Sequence, residues 1–402
     1  MESKKHILFV IPPPIPVTYP FRGIGMLSAA LKAAGYSVSV HMQRQKWIDF
    51  DYMRELRGKL QSYNFSLVGI YVNNVGIDFV GGIVDTIRRL SPASKIAVGG
   101  PMSNSTSNNI QIDAIFVGPA TKTLPGYLMD GGKYPLIIEQ IDEDEVLPDY
   151  ECWGEEFAKS VPTISSTGCV YKCDFCLANV SGVYQKRDTE KLRGELSLLL
   201  DRGAKHIMYK DELFNISDNH VRDIAGIMLE KGVTWSVSGW ALNGAVSDDT
   251  MRLCKKAGLI WVSCGLESFV EETVKKFGKR PVNKFRNNEL SRLYDLGINT
   301  NVNLMVASGA VQTEKEFEAE LEEINNSINL VGEATLSPLC VSGHSSIRKK
   351  FGLRGCEDFW YQRHPDEYLE RSSRIEKIAE LVGWGCSFAA HKNRMERFLA
   401  QK

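Results

Sequence analysis

"TGCVYKCDFC", residues 167–176, sets Cys169, Cys173 and Cys176 within eight positions of a 402-residue chain that holds nine cysteines. A structural zinc site closes with four ligands in two pairs. No second CxxC and no HxxxH follows downstream to supply the other pair. A cubane iron–sulfur cluster takes one thiolate per iron, so three cysteines on one loop leave a fourth iron without a protein ligand. That open corner can take a substrate or a cofactor. The other six cysteines (Cys152, Cys254, Cys264, Cys340, Cys356 and Cys386) stand singly and read as buried thiols.

Around this stretch the chain alternates apolar β-rich runs with helical periodicity. "VPTISST", "KHIMYKD", "TWSVSGW", "LIWVSCGLES", "NTNVNLMVAS" and "EATLSPLCVS" each lead into a helix or into the tail. Helices are expected at 188–203, 219–231, 248–257, across 269–297 and at 313–328. Six such repeats predict a partial (β/α)6 TIM-like barrel over residues 161–342, with the cysteines at the C-terminal end of its first strand, where barrels build their active sites. Residues 343–402 read as a mostly helical C-terminal tail that caps a substrate. Within it His344, Arg348, Arg354, Trp360, Tyr361 and His364 are candidate substrate contacts, and a solvated helical surface is the alternative reading.

The first 135 residues show the same alternation: "HILFVI", a helix from about 24 to 34, "YSVSVHM", "LVGIYV", a helix near 77–90, "KIAVGG" and "AIFVG". This predicts an α/β, doubly wound, Rossmann-like domain whose ligand-binding loops lie at the strand C-termini. "GIGMLS" is not a dinucleotide fingerprint, because it follows a long Pro-rich loop and has Ser28 in place of the third glycine. The acidic, aperiodic stretch at 136–160 reads as a linker.

Lys plus Arg total 48 and Asp plus Glu 49, a balance that leaves no electrostatic footprint for nucleic acid or an anionic membrane. The N-terminal apolar run has six residues before Pro12-Pro13-Pro14. It is too short for a signal peptide or a transmembrane helix, and the chain is read as cytoplasmic.

On the residues quoted above, the sequence resembles the radical S-adenosylmethionine (SAM) enzymes. Their CxxxCxΦC pattern is met by Cys169, Cys173, Phe175 and Cys176. The resemblance implies that the three cysteines hold a four-iron four-sulfur cluster whose open iron chelates SAM. The cluster's electron then cleaves SAM to a 5′-deoxyadenosyl radical, with a flavodoxin or ferredoxin as electron donor. "KDELF" ends the second strand, "GLES" the fourth, and "NVNLMV" forms the fifth. By the same resemblance Phe175, Asp211, Glu212, Trp240, Glu267 and Asn303 face SAM. Trp240 is a departure, since many relatives place Arg there.

The order "VIPPP", "GIG", "VGIYVNN", "VGGP", "VGPATKTL" and "LPDY" ahead of the cluster motif resembles the subgroup with an N-terminal cobalamin-binding domain. It implies cobalamin contacts at Pro13, Tyr19, Val72, Asn73, Asn74, Gly99, Gly100, Pro101, Gly118 and Thr121. None of the seven histidines stands in a DxHxxG pattern, which excludes a histidine ligand to cobalt through that motif. "GPAT" at 118–121 departs from the GEGE of many relatives, as a domain that kept the fold and lost cobalamin would. The resemblance implies a cobalamin-dependent C-methyltransferase acting on a small molecule. A radical SAM dehydratase, cyclase or rearrangement enzyme without methyl transfer is the alternative, and a redox-responsive binding protein a third. No residue is assigned as the one that orients or quenches a substrate radical.

Overall fold

The structure, a computed structural model, describes residues 5–13, 21–43, 49–73, 76–101, 103, 110–133, 136–138, 146–153, 159–176, 183–279, 283–307, 309, 311–339, 347–350, 364–381 and 385–386. The chain divides into two compact units, residues 1–162 with 187–204 and residues 163–186 with 205–402. Among the described residues no helix is long and apolar enough to cross a membrane.

The first unit contains β1 (His6–Val10), α1 (Arg22–Ala33), β2 (Ser37–His41), α2 (Asp49–Ser62), β3 (Phe65–Tyr71), α3 (Val80–Leu90), β4 (Lys95–Gly99), β5 (Ala114–Val117), α4 (Thr123–Met129) and β6 (Leu136–Ile138). Its sheet runs β2-β1-β3-β4-β5-β6 with every pair parallel. Ile7, Leu8 and Val10 on β1 and Leu67, Val68 and Ile70 on β3 are buried, as expected of central strands covered on both faces. The winding reverses between β1 and β3, and open sheets of this order bind ligands in the crevice at the C-terminal ends of those two strands. Three elements escaped the sequence reading. The first is α2, whose charged composition hides a stripe of Tyr52, Leu56 and Leu60, buried at four-residue spacing. The others are the short α4 and β6, the latter pairing with β5 inside what had read as linker.

The second sheet contains β7 (Ser160–Thr163), β10 (His206–Lys210), β11 (Thr234–Trp240), β12 (Leu259–Glu267), β13 (Asn299–Val306), β14 (Glu333–Pro338) and β15 (Gly385–Cys386). They are ordered β15-β14-β13-β12-β11-β10-β7, and the registers from β10 through β15 are parallel. A separate antiparallel hairpin, β8 (Ser166–Thr167) with β9 (Gln185–Lys186), carries the cysteine loop. The helices are α5 (Thr189–Asp201), α6 (Asp218–Lys231), α7 (Asp248–Lys256), α8 (Glu271–Lys276), α9 (Asn283–Asp295), α10 (Glu314–Ser327), α11 (Ile347–Lys350) and α12 (Pro365–Leu381). Ser217 and Ser247 cap α6 and α7 by accepting from His220 N–H and Thr250 N–H, and α6 stops at Gly232 with φ +66°. The partial barrel is therefore as expected, with one addition. The tail is not only helical, because β15 returns to the sheet as a two-residue strand too short to leave a periodic pattern.

Helix α5, read from sequence as the first barrel helix, groups with the first unit. Its Glu195 is fully buried and accepts from Arg22 of α1 at 3.3 Å and from Arg187 at 2.8 Å. Removing one member of such a buried set strands the opposite charge. Glu195→Ala is expected to destabilise the first unit by about 3–5 kcal/mol, visible as an earlier unfolding transition in urea followed by circular dichroism.

Candidate functional site

Two consecutive serines start the cysteine loop and both are tied to one buried carboxylate. Asp211, at the end of β10, accepts from the Ser165 N–H at 3.0 Å, the Ser165 hydroxyl at 2.7 Å and the Ser166 hydroxyl at 2.7 Å. Burial raises the Asp211 pKa to about 6 against the pull of these hydrogen bonds. Ser165 Oγ also lies 2.9 Å from Nε2 of His220, a ring whose pKa burial lowers to about 4. At the neck of the loop Gly168 has φ +72°, and a Cβ there would lie 2.6 Å from the Val183 carbonyl oxygen. Only glycine tolerates both conditions.

Beyond that neck the loop is held at Asp174. Its N–H donates to Phe277 O at 2.9 Å, its carbonyl accepts from Ile347 N–H at 3.2 Å, and its carboxylate accepts from Lys350 at 3.2 Å. Gly278, with φ +66°, makes room for that carboxylate, which a Cβ would approach to 2.5 Å. Phe175 packs edge-on against Phe277 with centroids 5.8 Å apart. Cys176 N–H donates to Cys173 O at 3.1 Å, folding the last two cysteines into a turn.

Cys173 is buried and Cys169 and Cys176 are partly exposed. Burial pushes the Cys173 thiol up to about 11, Lys279 opposes this, and Cys176, Glu267 and Cys169 add to it. The three sulfurs thus share one local field. Among the described residues no three His, Cys, Asp or Glu side chains converge on a single ion. Three thiols spread along one anchored loop suit a cubane, in which each thiolate serves its own iron. Cys169, Cys173 and Cys176 could hold such a cluster.

Lys279 is the functional candidate that sequence reasoning missed. It follows the obligatory Gly278, donates to the Gly265 carbonyl, and lies 3.1 Å from Glu267 Oε1. Its charge acts on Cys169 and Cys173. Glu267 itself has φ +69°, a left-handed conformation that costs a non-glycine residue about 1–2 kcal/mol. What holds it there is the next residue pair. Glu320 of α10, also overlooked, accepts from the Ser268 hydroxyl and, at 2.7 Å, from the Phe269 N–H. Asn303, the register partner of Gly265, donates to Ser263 Oγ at 2.9 Å and Cys264 O at 3.3 Å. Glu212 is exposed and contributes to the field at Cys169.

Two of the residues expected to face SAM are buried. Asp211 is buried beneath Ser165 and Ser166, its oxygens engaged as described. Trp240 is 1% exposed, stacks on Phe214 with centroids 6.2 Å apart, and donates to Glu289 of α9 at 3.0 Å. The cause is Gly239, whose φ of +76° accompanies a register shift against β12. A bulge of this kind reverses the inward–outward alternation, so the indole joins the core beneath the helices.

In the first unit, Pro13 and Val72 are buried, and the Asn73 side chain accepts from Gly76 N–H at 2.8 Å, closing a turn. Gly76 abuts Pro12, where a Cβ would come within 2.9 Å of the ring. Gly100, at φ +102°, closes on the Val72 carbonyl, which a Cβ would approach to 2.7 Å. These contacts bring the loops after β1, β3 and β4 together through backbone rather than side-chain bulk. Gly99 and Pro101 adjoin this approach, while Gly118 (φ +99°) and the buried Thr121 follow β5. Tyr19, Asn74, His344, Arg354, Trp360 and Tyr361 lie outside the described residues. Arg348 is on α11, its side chain likewise outside the description, and His364 immediately precedes α12.

Residues 163–324 match the family model of the radical SAM superfamily. The chain contains a radical SAM domain. Its fold is similar to that of TsrM from Kitasatospora setae, a radical SAM methyltransferase solved with cobalamin and a [4Fe-4S] cluster (TM-score 0.69, 17% identity, 86% of this chain and 77% of that one). It is also similar to OxsB, a cobalamin-dependent SAM radical enzyme solved with aqua-cobalamin (TM-score 0.66, 16% identity, 93% of this chain and 56% of that one). No curated protein matches. The radical SAM domain accounts for the position of the cysteine loop at the first strand end, and the likeness to TsrM and OxsB extends to the doubly wound sheet that precedes it.

Burial raises the Glu320 pKa to about 7. The folded protein therefore binds a proton that the unfolded chain lacks between about pH 4.5 and 7, and this contribution to stability grows as the pH falls through that window. Glu320→Gln removes the titration. The stability difference between wild type and variant should rise from pH 7.5 to pH 5, measured by thermal melting at each pH.

Proposed function

We propose that this protein is a cobalamin-dependent radical SAM C-methyltransferase that acts on a small molecule. The observation that carries the radical part is the cysteine loop. Three neighbouring thiols sit on a loop anchored at Ser165, Ser166 and Asp174, within a domain that matches the radical SAM superfamily. When bound, the cluster supplies the electron that cleaves SAM to methionine and a 5′-deoxyadenosyl radical, and cobalamin supplies the means of carrying a methyl group to carbon.

The chain's own residues bind and orient. Cys169, Cys173 and Cys176 would each hold one iron of such a cluster and leave its fourth iron to SAM. Lys279 offsets the negative charge that the thiolates bring into a half-buried loop, and it is the nearby cation suited to the SAM carboxylate that Trp240 cannot serve. Glu267, fixed in its left-handed conformation by Glu320 and Lys279, presents a carboxylate to SAM together with Asn303 and Glu212. Phe175, braced on Phe277, offers a ring to the adenine. In the first unit, the loops at Pro13, Val72–Asn73, Gly99–Pro101 and Gly118–Thr121 take cobalamin at the β1/β3 crevice. Electrons come from a small donor of the flavodoxin or ferredoxin type, and the oxygen-sensitive cluster suits a cytoplasmic protein.

A second reading keeps the radical chemistry and drops methyl transfer. It is favoured by Asn73, whose side chain closes its own turn, and by "GPAT" at 118–121.

Anaerobically reconstituted protein should carry about four irons per chain, and Cys173→Ala should lose both the iron and the formation of 5′-deoxyadenosine. Full SAM cleavage by that variant would contradict the cluster assignment. Hydroxocobalamin should bind the folded protein with an absorption spectrum that lacks an axial imidazole. If micromolar cobalamin does not bind, the second reading replaces the first.

A further inference from the structure

Closed (β/α)8 barrels fill their interior with layers of Val, Ile and Leu. Here the alternation along the strands puts those residues on the other face. Tyr209 of β10 reaches Met228 of α6, Trp235 of β11 donates to Ala257 O after α7, and Val237, Val262, Val302 and Leu336 are buried in phase with them. The inner face carries Ser236, Ser238, Ser263, Asn301, Asn303 and Thr335 instead. Several touch across strands: Asn301 donates to Ser263 at 3.1 Å and Thr335 to Asn301 at 3.1 Å. Short hydroxyls and amides share this face with Met208, Trp261 and Met305, which stand in the same phase.

One cation stands on it. Lys210, the last residue of β10, shares the inward phase of His206, whose ring nitrogens lie 2.9 Å from Thr234 Oγ1 and Ser236 Oγ. Among the described residues the hydrogen-bond partner of Lys210 is the Ser238 hydroxyl at 3.3 Å, and no carboxylate pairs with it. Solvent reaches Lys210, yet the protein around it lowers its pKa by burial. Its position as the last residue of β10 puts the ammonium at the C-terminal end of the inner face. It is also distinct from Lys279. Lys279 acts on the cysteine thiols, whereas the neighbour that feels Lys210 is His206.

We infer that Lys210 and the Ser238 hydroxyl beside it bind the carboxylate end of a small, singly charged substrate. The inference rests on the radical SAM reading only in taking this barrel as the place of reaction. The charge argument is direct. A lone ammonium beside Ser238 matches one negative charge. A dianionic phosphate is usually met by Arg forks or several donors. The Ser238 hydroxyl accepts from Lys210 and can still donate toward a ligand's oxygen.

The test uses the full chain with its reconstituted cluster under anaerobic conditions. Lysines are labelled with a small amine-reactive reagent at constant ionic strength and read by peptide mass spectrometry, with lactate, inorganic phosphate or chloride as the added probe. Lactate at ten times its dissociation constant should slow Lys210 labelling about tenfold, in a saturable manner, without slowing the exposed Lys172, and chloride should have no effect. Labelling of Lys210 that is indifferent to lactate overturns the inference, and stronger protection by phosphate than by lactate overturns the single-charge assignment. Formation of 5′-deoxyadenosine in the same preparation reports separately on the radical reading. Intact SAM cleavage with unprotected Lys210 therefore removes this inference alone.

Discussion

The buried carboxylate of Asp211 ties the end of β10 to the two residues that launch the cysteine loop, and the geometry of the site depends on this tie. A fully buried carboxylate is costly unless its lone pairs are filled. Ser165 and Ser166 fill them with two hydroxyls and a backbone N–H. Because those donors are consecutive, satisfying the carboxylate also sets the direction in which the chain leaves the sheet. Everything that follows, from Gly168 at the neck to Asp174 at the far side, is a short loop hung between fixed ends.

The second organising device is positive φ at strand ends. Gly239 lets β11 bulge and turns Trp240 into the core. Gly278 clears space for the Asp174 carboxylate and presents Lys279 to the thiols. Glu267 takes a similar conformation without being glycine, and the structure holds it through Glu320 on one side and Lys279 on the other. Strain of this sort persists only where neighbours over-determine it. Its placement beside the cysteines is in keeping with a carboxylate held in one orientation for a ligand.

The same alternation that makes a strand also divides the barrel's chemistry. One face of β10 to β14 is apolar and lies under the helices, and the other mixes Ser, Asn and Thr with Met208, Trp261 and Met305. That division leaves an interior able to exchange hydrogen bonds with a polar ligand.

The sequence alone determined the two α/β halves and the strands with strong periodicity, because burial on one or both faces writes a pattern of two or of continuous apolar residues. It also determined the cysteine loop, since thiolate ligands on a short loop need fixed spacing whatever surrounds them. It did not reveal β6 or β15, which are too short to show a period, nor the attachment of α5 to the first unit through Glu195, Arg22 and Arg187. Above all it could not decide which way Asp211 and Trp240 point. A single glycine conformation reverses alternation, and a buried acid is told from a ligand-facing one only by the donors around it. Ser165, Ser166, Glu289, Lys279 and Glu320 come from segments far apart in the chain, so their meeting is a property of the tertiary structure.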